Sequence, residues 1–299
     1  MVTSLIYNSR QDELSKRLFR LLKTFPLKNI FNPSFVDRDG YTIIAFRAIN
    51  PATNKINSFV ATFGDTDQLI DLLNLNTYVE QFGVSTAADP KIFTEGNTNV
   101  WLTFNTGYSD DQNDVYLLKI YPKVEQPIRC VYQGRERIEK NWAFFFEDGK
   151  ILALYSIAPF VVLEALWPSS DATVCEFRER LKDSENHRQP RLSIGTQLVA
   201  TGSGYLFIAH RKLTFFNKRI YYGVPVFLLR NDQGYRIVVN KRMRLIHSFR
   251  SLLGSKLKHN KNLISCTYFS GINRIAENKY VVGYGINDVN FSFSLLNTI

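Results

Sequence analysis

Five segments of the chain share one alternation of polar and apolar positions: a polar start, an apolar strand, a tight turn and a second apolar or aromatic strand. Val, Ile, Phe and Tyr are frequent in both strands, as is typical of half-buried sheet. The turns carry Gly or Asn beside an acidic or small residue, and such residues accept the left-handed backbone of a hairpin loop. The five segments are residues 32–48, 89–107, 141–157, 195–212 and 271–288.

The spacing of these segments predicts the fold. Their starts lie 57, 52, 54 and 76 residues apart in a chain of 299 residues. A period of about fifty residues suits one four-stranded propeller blade with its connection. We therefore expect an all-β protein, a five-bladed β-propeller, whose residues 1–299 form a single domain.

Two further segments have helical spacing. Leucines at positions 14, 18, 21 and 22 predict a short N-terminal helix over residues 11–24 that lies on the propeller. A second helix is predicted over residues 65–80, because Asp65 and Gln68 form a capping pair before further leucines. The charged segment 176–191 is expected to be a surface excursion between the third and fourth blades.

Composition and charge narrow the classes of function. A hydrophobic content of 45% and a charged content of 21% exclude a largely disordered chain. The net charge is +10, and the basic stretch 241–261 contains no acidic residue. A solvated connector is the preferred interpretation of this stretch, and a site that attracts an anionic partner is the alternative. The chain shows no signal-peptide pattern and no apolar run of the ~20 residues that a spanning helix needs. Three dispersed cysteines favour a reducing, cytoplasmic location.

Polar residues recur where an ordinary core would repeat Val or Leu. In a propeller the innermost strands line a central channel, so equivalent positions of the repeats meet near one axis. These positions predict a site in the channel. Its residues are Asn32, Arg47, Asp89, Asn105, Asn141, Thr196, His210 and Asp288, with Glu139 and Lys140 directly before Asn141. The four histidines have no ligand-like spacing, so no metal site is predicted.

The same segments resemble glycoside hydrolase family 130, the five-bladed β-mannoside phosphorylases. FNPSFVDRDGYTIIAFRA resembles that family's first-blade signature, and ADPKIF resembles its second-blade DPR segment. EKNWAFFFEDGKILALYS, GTQLVATGSGYLFIAHRK and KYVVGYGINDV resemble the signatures of the third, fourth and fifth blades. The resemblance extends over all five blades in the correct order.

This resemblance implies a sugar-binding channel with one catalytic acid. Asp89 would protonate the departing glycosidic oxygen while phosphate attacks the anomeric carbon. Arg47, Lys140 and His210 would surround the phosphate, and Asn32, Tyr284 and Asp288 would hold the sugar. No cofactor is implied, since phosphate or a nucleotide sugar serves as co-substrate and an oligosaccharide or glycan as acceptor.

Departures from the family pattern keep three alternatives open. Ala88, Lys91 and Asn141 replace residues that the phosphorylases usually carry. A related mannosyltransferase that uses a nucleotide-activated sugar is the first alternative. A five-bladed glycoside hydrolase is the second; it would use carboxylates of several blades, such as Asp89 and Glu139, although its first-blade position is Asn32 here. A non-catalytic, glycan-binding propeller is the third.

Overall fold

The structure is a computed structural model that describes residues 12–38, 40–107, 112–139, 141–166, 172–183, 192–215, 217–232, 234–248 and 261–298. Lys140, residues 249–260 of the basic stretch and residues 184–191 of the charged segment therefore lie outside the described residues. The described residues form twenty strands and two helices.

The strands form five successive blades, which we number I to V, and parallel strand pairs join blade II to blade III and blade IV to blade V in continuous sheets. Blade I contains β1 (Lys28–Arg38), β2 (Tyr41–Ile49), β3 (Ile56–Gly64) and β4 (Leu69–Asn74). Blade II contains β5 (Ala88–Glu95), β6 (Asn99–Asn105), β7 (Val115–Tyr121) and β8 (Ile128–Tyr132). Blade III contains β9 (Ala143–Glu147), β10 (Lys150–Ile157), β11 (Phe160–Leu166) and β12 (Val174–Asp183).

Blade IV contains β13 (Leu192–Ile194), β14 (Val199–Thr201), β15 (Gly204–Phe215), β16 (Lys218–Asn231) and β17 (Gly234–Val239). Blade V contains β18 (Leu263–Ala276), β19 (Lys279–Ile286) and β20 (Asn290–Asn297). Helix α1 (Glu13–Lys23) precedes blade I, and helix α2 (Leu75–Glu80) follows β4.

Each predicted repeat is the first hairpin of one blade. The hairpins β1–β2, β5–β6, β9–β10, β14–β15 and β18–β19 are all antiparallel. Asp148 and Gly149 have φ angles of 50° and 72°, the left-handed pair that a two-residue hairpin turn requires. The predicted five-bladed β-propeller with a short N-terminal helix is confirmed.

Apolar clusters fill the interface between each blade and the next. Four of them pack blade I on II, II on III, III on IV and IV on V. A fifth cluster contains residues of blades V and I together with helix α1. The blades therefore form a ring in which every interface is apolar, and such burial is the main stabilising term in folding.

Helix α1 fills the interface between blades V and I, which we call the closing interface. The Asp12 carboxylate caps the helix by accepting a hydrogen bond of 2.8 Å from the Ser15 backbone N–H. Leu18 and Leu22 are fully buried in the cluster that also contains Phe46 of blade I and Phe293 of blade V. The helix thus supplies apolar surface where the ring closes.

The helix predicted over residues 65–80 is wrong in its first half. Residues 69–74 form β4, which pairs with β3 as the outer strand of blade I. Only the second half is helical, as α2, and Asn74 caps it by accepting hydrogen bonds from the N–H groups of Asn76 and Thr77. Pairing with β3 outweighs the local leucine spacing, because the sheet supplies partners for the backbone.

The surface excursion predicted over residues 176–191 is also wrong for residues 176–183. They belong to β12, which pairs antiparallel with β11 and parallel with β8 of blade II. At the start of the strand, exposed Glu176 and Arg178 alternate with buried Cys175 and Phe177, whereas residues 178–180 are all exposed where the register shifts. Cys175 is in register with Cys130 of β8, and both thiols are free and buried.

The closing interface gives a stability prediction. We expect Leu22→Ala to lower the free energy of unfolding by about 2–5 kcal/mol, because it leaves a cavity among packed rings. Urea unfolding measures the change. The matched control is Leu69→Ala on β4, where the side chain is 47% exposed, and its loss should stay below about 1 kcal/mol. Equal losses in the two variants would contradict the structural role of α1.

Candidate active site

Four strained residues point to one place in the ring. Asn32, Asp89, Asn141 and Asp288 have φ angles of 52°, 51°, 66° and 57°. Asn and Asp adopt this left-handed conformation more readily than other non-glycine residues do. All four line one cavity, and strain of this kind is concentrated at functional sites.

Bulges in β1 and β5 produce two of these conformations. In β1 the register passes from Phe31 opposite Arg47 to Ser34 opposite Ala45, so Asn32 and Pro33 face a single residue of β2. In β5 the register shifts in the same way around Asp89 and Pro90. A bulge redirects a side chain, so blades I and II present Asn32 and Asp89 at equivalent positions.

The cavity that these residues line, the front cavity, has a volume of about 540 Å³, within the usual range of ligand sites. Strands of all the blades except III contribute to it, and Asn141 borders it directly before blade III. Its lining residues are Phe31, Asn32, Arg47, Ile56, Asp89, Ile138, Asn141, Ser193, His210, Arg219, Tyr221, Leu263, Cys266, Tyr268 and Asp288.

An ion pair dominates the polar wall of the front cavity. Arg47 Nη1 lies 2.8 Å from Asp89 Oδ1, and both side chains are mostly buried. The guanidinium also lies over the Phe31 ring, 5.2 Å from its centroid. The Nε–H of Arg47 is buried and has no acceptor. Arg47 therefore keeps a donor for a ligand.

A buried lysine lies two residues after Asp89 in sequence. Lys91 Nζ donates a hydrogen bond of 2.6 Å to Asn141 Oδ1, which also accepts one of 3.0 Å from the Tyr268 hydroxyl. Burial lowers the pKa of Lys91 to about 7, although the charge of Asp89 opposes this shift. Asn141 is therefore held in place by two donors, and its left-handed backbone is supported from both sides.

His210 borders the front cavity as a neutral ring. Burial, with a smaller contribution from the charge of Lys91, lowers the pKa of His210 to about 3. Its Nε2 accepts a hydrogen bond of 2.8 Å from the Phe269 N–H, so the proton resides on Nδ1. Gly195 permits this position, because a Cβ there would lie 2.9 Å from Nε2 and 2.4 Å from the Ile208 carbonyl oxygen.

Asn32 is packed against a glycine of the fifth-blade motif. A Cβ at Gly285 would lie only 1.9 Å from Asn32 Oδ1, so only glycine fits there. Asn32 is 4% exposed, and its Oδ1 has no hydrogen-bond donor. An unpaired buried oxygen is costly, and a donor from a ligand would satisfy it.

The structure brings six of the predicted site residues to the front cavity, places Asn105 in a small cavity beside it that Asp89 and Asn141 also line, and places three elsewhere. Asn32, Arg47, Asp89, Asn141, His210 and Asp288 line it. Asn105, Glu139, Thr196 and Tyr284 do not line it.

The four outlying residues have other partners. Glu139 lines an adjacent cavity of about 180 Å³ and accepts a hydrogen bond of 2.6 Å from Tyr155; burial raises the pKa of Glu139. Thr196 Oγ1 accepts from the Ile208 N–H, and Asn105 Oδ1 accepts from the Gly107 N–H. The Tyr284 hydroxyl lies 3.0 Å from Ser294 Oγ in the core.

Sequence reasoning missed Arg219, Tyr221 and Tyr268. Arg219 and Tyr221 lie at the start of β16, in the part of the long β15–β16 ribbon that pairs with β18. Tyr268 lies three residues before the fifth repeat, on β18. The only sequence signal was the cluster of aromatic and basic residues around the turn at Asn217.

The described residues contain neither a group of metal ligands nor a helix that could span a membrane. No group of three or more His, Cys, Asp or Glu side chains in them is placed to hold a metal ion. Neither of their helices is long and apolar enough to cross a membrane.

Several solved structures resemble this one. A protein from Bacteroides ovatus proposed to be a glycoside hydrolase is 13% identical, with a TM-score of 0.60 over 91% of this chain and 87% of that chain. A glycosyl hydrolase from the same organism is 12% identical, with a TM-score of 0.59 over 90% and 84%. A Bacillus subtilis levansucrase in complex with oligosaccharides is 8% identical, with a TM-score of 0.56 over 92% and 84%.

No protein-family model and no curated protein sequence matches this chain. At such low identities the structural likeness establishes the propeller fold and nothing finer. The resemblance to glycoside hydrolase family 130 stays a prediction from the sequence motifs.

The neutral histidines predict how stability depends on pH. His210 and His247 have pKa values lowered by burial to about 3 and about 4, against about 6.5 in an unfolded chain. Below pH ~6.5 the unfolded chain therefore binds protons that the folded protein does not, so stability is complete above that pH and falls as the pH drops towards 4.

We expect each histidine to contribute a slope of up to about 1.4 kcal/mol per pH unit in this window. His210→Gln and His247→Gln should each flatten the curve by one such contribution. Urea unfolding at pH 4.5 to 7 measures the slopes. Slopes identical to the wild type in both variants would show that neither ring is held neutral.

Proposed function

We propose that the front cavity is the active site of a carbohydrate-active enzyme that cleaves a glycosidic bond, with Asp89 as its catalytic carboxylate. The placement of Asp89 carries the proposal. A bulge in β5 holds this residue at a φ of 51° in a ligand-sized cavity, 2.8 Å from Arg47. Such strain costs about 1–3 kcal/mol and persists where the surroundings enforce it, typically at active sites.

The other groups of the front cavity suit a saccharide. Asn32, Asn141 and Asp288 offer amide and carboxylate groups for sugar hydroxyls, and Tyr221 and Tyr268 offer aromatic surface. Sugars combine many hydroxyls with apolar C–H faces, so they need both kinds of wall. The names of the structural neighbours, two hydrolases of glycosides and a levansucrase with bound oligosaccharides, support the same class of ligand.

Hydrolysis is the reaction that we favour, because it needs two carboxylates and the front cavity has two among its described lining residues, Asp89 and Asp288. Asp89, paired with Arg47, takes a proton from water as the water oxygen attacks the anomeric carbon. The glycosidic C–O bond breaks, and protonated Asp288 gives its proton to the departing oxygen. Glu139, the other carboxylate expected for a hydrolase, lies in the adjacent cavity.

Transfer to phosphate is a second candidate, because Arg47 and Arg219 both line the front cavity and arginines bind phosphate well. A phosphate that engages Arg47 would draw it from Asp89 and so favour the protonated carboxyl. Asp89 would then act as the acid predicted from the sequence: phosphate attacks the anomeric carbon, and the proton of Asp89 goes to the departing oxygen. A nucleotide sugar would use the same arginines.

The central test is Asp89→Asn. We expect kcat to fall by about a hundredfold or more, because acid–base catalysis of this kind contributes roughly 10²–10⁴, while saccharide binding persists. β-Mannosides are the first substrates to test, as the motif resemblance suggests, with products followed by mass spectrometry. Asp71→Asn on the exposed strand β4 removes the same charge and should leave activity unchanged. Full activity in Asp89→Asn would refute the assignment.

A second test identifies the acceptor. Hydrolysis predicts turnover without phosphate and a loss of about a hundredfold in kcat for Asp288→Asn. Phosphorolysis predicts a sugar 1-phosphate product, turnover that requires phosphate and a higher KM for phosphate in Arg47→Gln. Saccharide binding without turnover under any condition would support the glycan-binding alternative instead.

A further inference from the structure

A second cavity of about 560 Å³, the rear cavity, lies along the same inner strands. Like the front cavity, it is lined from around the ring, here by residues of all five blades. Its lining includes Arg38 of blade I, Thr94 of blade II, Phe146 of blade III, Arg230 of blade IV and Arg274 of blade V. The rear cavity is therefore also a feature of the central channel.

The two cavities lie at opposite ends of the channel. On β1, Asn32 borders the front cavity and Arg38, six residues further along, borders the rear cavity. On β18, Tyr268 and Arg274 are related in the same way. Six residues of extended strand span about 20 Å, so the two sites do not share ligand contacts.

The charged residues among the described lining of the rear cavity are all basic. Three arginines line it, and no described lining residue is an aspartate or glutamate. Arg230 is paired with Glu147, 2.8 Å from Nη2 to Oε1. For Arg38 and Arg274 no described carboxylate lies within the 4.0 Å of an ion pair. The cavity thus contains two positive charges without a counter-charge among the described residues.

Both of these arginines have donors to spare. Arg38 Nη2 donates a long hydrogen bond of 3.4 Å to Thr94 Oγ1, while its Nε–H is buried without an acceptor. Arg274 Nε donates, also at 3.4 Å, to the Ala276 carbonyl. A guanidinium has five N–H donors in a planar fork that matches the oxygens of phosphate. A buried unpaired N–H is costly, and an oxyanion would satisfy it.

The remaining walls suit an organic group. The rings of Phe93, Phe146 and Tyr205 and the amides of Asn97 and Asn273 line the rear cavity. Inorganic phosphate alone would fill a small part of 560 Å³. We propose that the rear cavity binds a small organic phosphate, with Arg38 and Arg274 holding its phosphate group and the aromatic wall contacting its organic part.

Isothermal titration calorimetry with glucose 6-phosphate and with inorganic phosphate tests this site. We expect the wild type to bind both, and glucose 6-phosphate more tightly. Arg38→Gln combined with Arg274→Gln should weaken the binding of glucose 6-phosphate about tenfold or more, since charge-assisted bonds are lost. Arg236→Gln, an exposed residue of β17, is the charge-matched control and should bind as the wild type does.

Arg47→Gln distinguishes binding at the front cavity from binding at the rear cavity. It removes a cation of the front cavity and should leave the binding of glucose 6-phosphate at the rear cavity intact. The proposal is overturned if the double variant binds as the wild type does, or if the wild type binds neither compound at up to about 10 mM. Equal affinity for the two compounds would overturn the contact with the organic part.

A second measurement needs no variant and therefore does not depend on correct folding of the double variant. Phenylglyoxal modifies accessible arginines, and peptide mass spectrometry identifies them. Glucose 6-phosphate should protect Arg38 and Arg274 of the wild type and leave Arg236 reactive. Equal modification of all three with and without the compound would refute the site.

Discussion

The apolar packing between neighbouring blades is the constraint on which the rest of the structure depends. Each sheet buries one face against the preceding blade and the other against the following one, so all five interfaces must be filled for the ring to close. The closing interface uses helix α1 for this purpose. Once the ring is closed, the inner strands stand around one axis, and their polar residues have only the channel to face.

The backbone geometry of the inner strands determines which polar side chains face the channel. An ordinary strand would alternate its side chains between two faces, and the bulges at Asn32 and Asp89 break this alternation so that a polar residue faces the channel. The polar groups behind them are paired: Asn141 joins Lys91 to Tyr268, and His210 accepts from the Phe269 N–H. Asp89 therefore interacts with two basic residues. It pairs with Arg47, and its charge opposes the fall in the pKa of buried Lys91.

The sequence predicted what local patterns determine. Hairpin turns and strand periodicity are local, so the first hairpin of every blade was found. The outer strands β4 and β12 were missed, although each pairs with the strand that directly precedes it, β3 or β11. A helical leucine pattern and a run of charge are local signals that tertiary pairing overrode.

The candidate site was likewise predicted only in part. Six of the eight predicted residues at repeat positions line the front cavity, whereas Asn105 and Thr196 do not. Glu139 also lies outside it, although it is only two residues from Asn141. Glu139 is held by Tyr155 on the side of blade III. Arg219 and Tyr221 entered from a ribbon outside the repeat alignment. Proximity in sequence was thus a weaker guide than equivalence between repeats.

Hydrogen bonds between the inner strands lie between the two ends of the channel. Ser34 Oγ accepts a hydrogen bond of 2.9 Å from the Ile92 N–H, and Ser270 Oγ donates one of 2.9 Å to the Pro33 carbonyl. These buried bonds tie the inner strands of blades I, II and V together between the cavities. The separation of about 20 Å keeps the ligand contacts of the two cavities apart. An effect of Arg38 or Arg274 on turnover would therefore have to pass through the strands that the two cavities share.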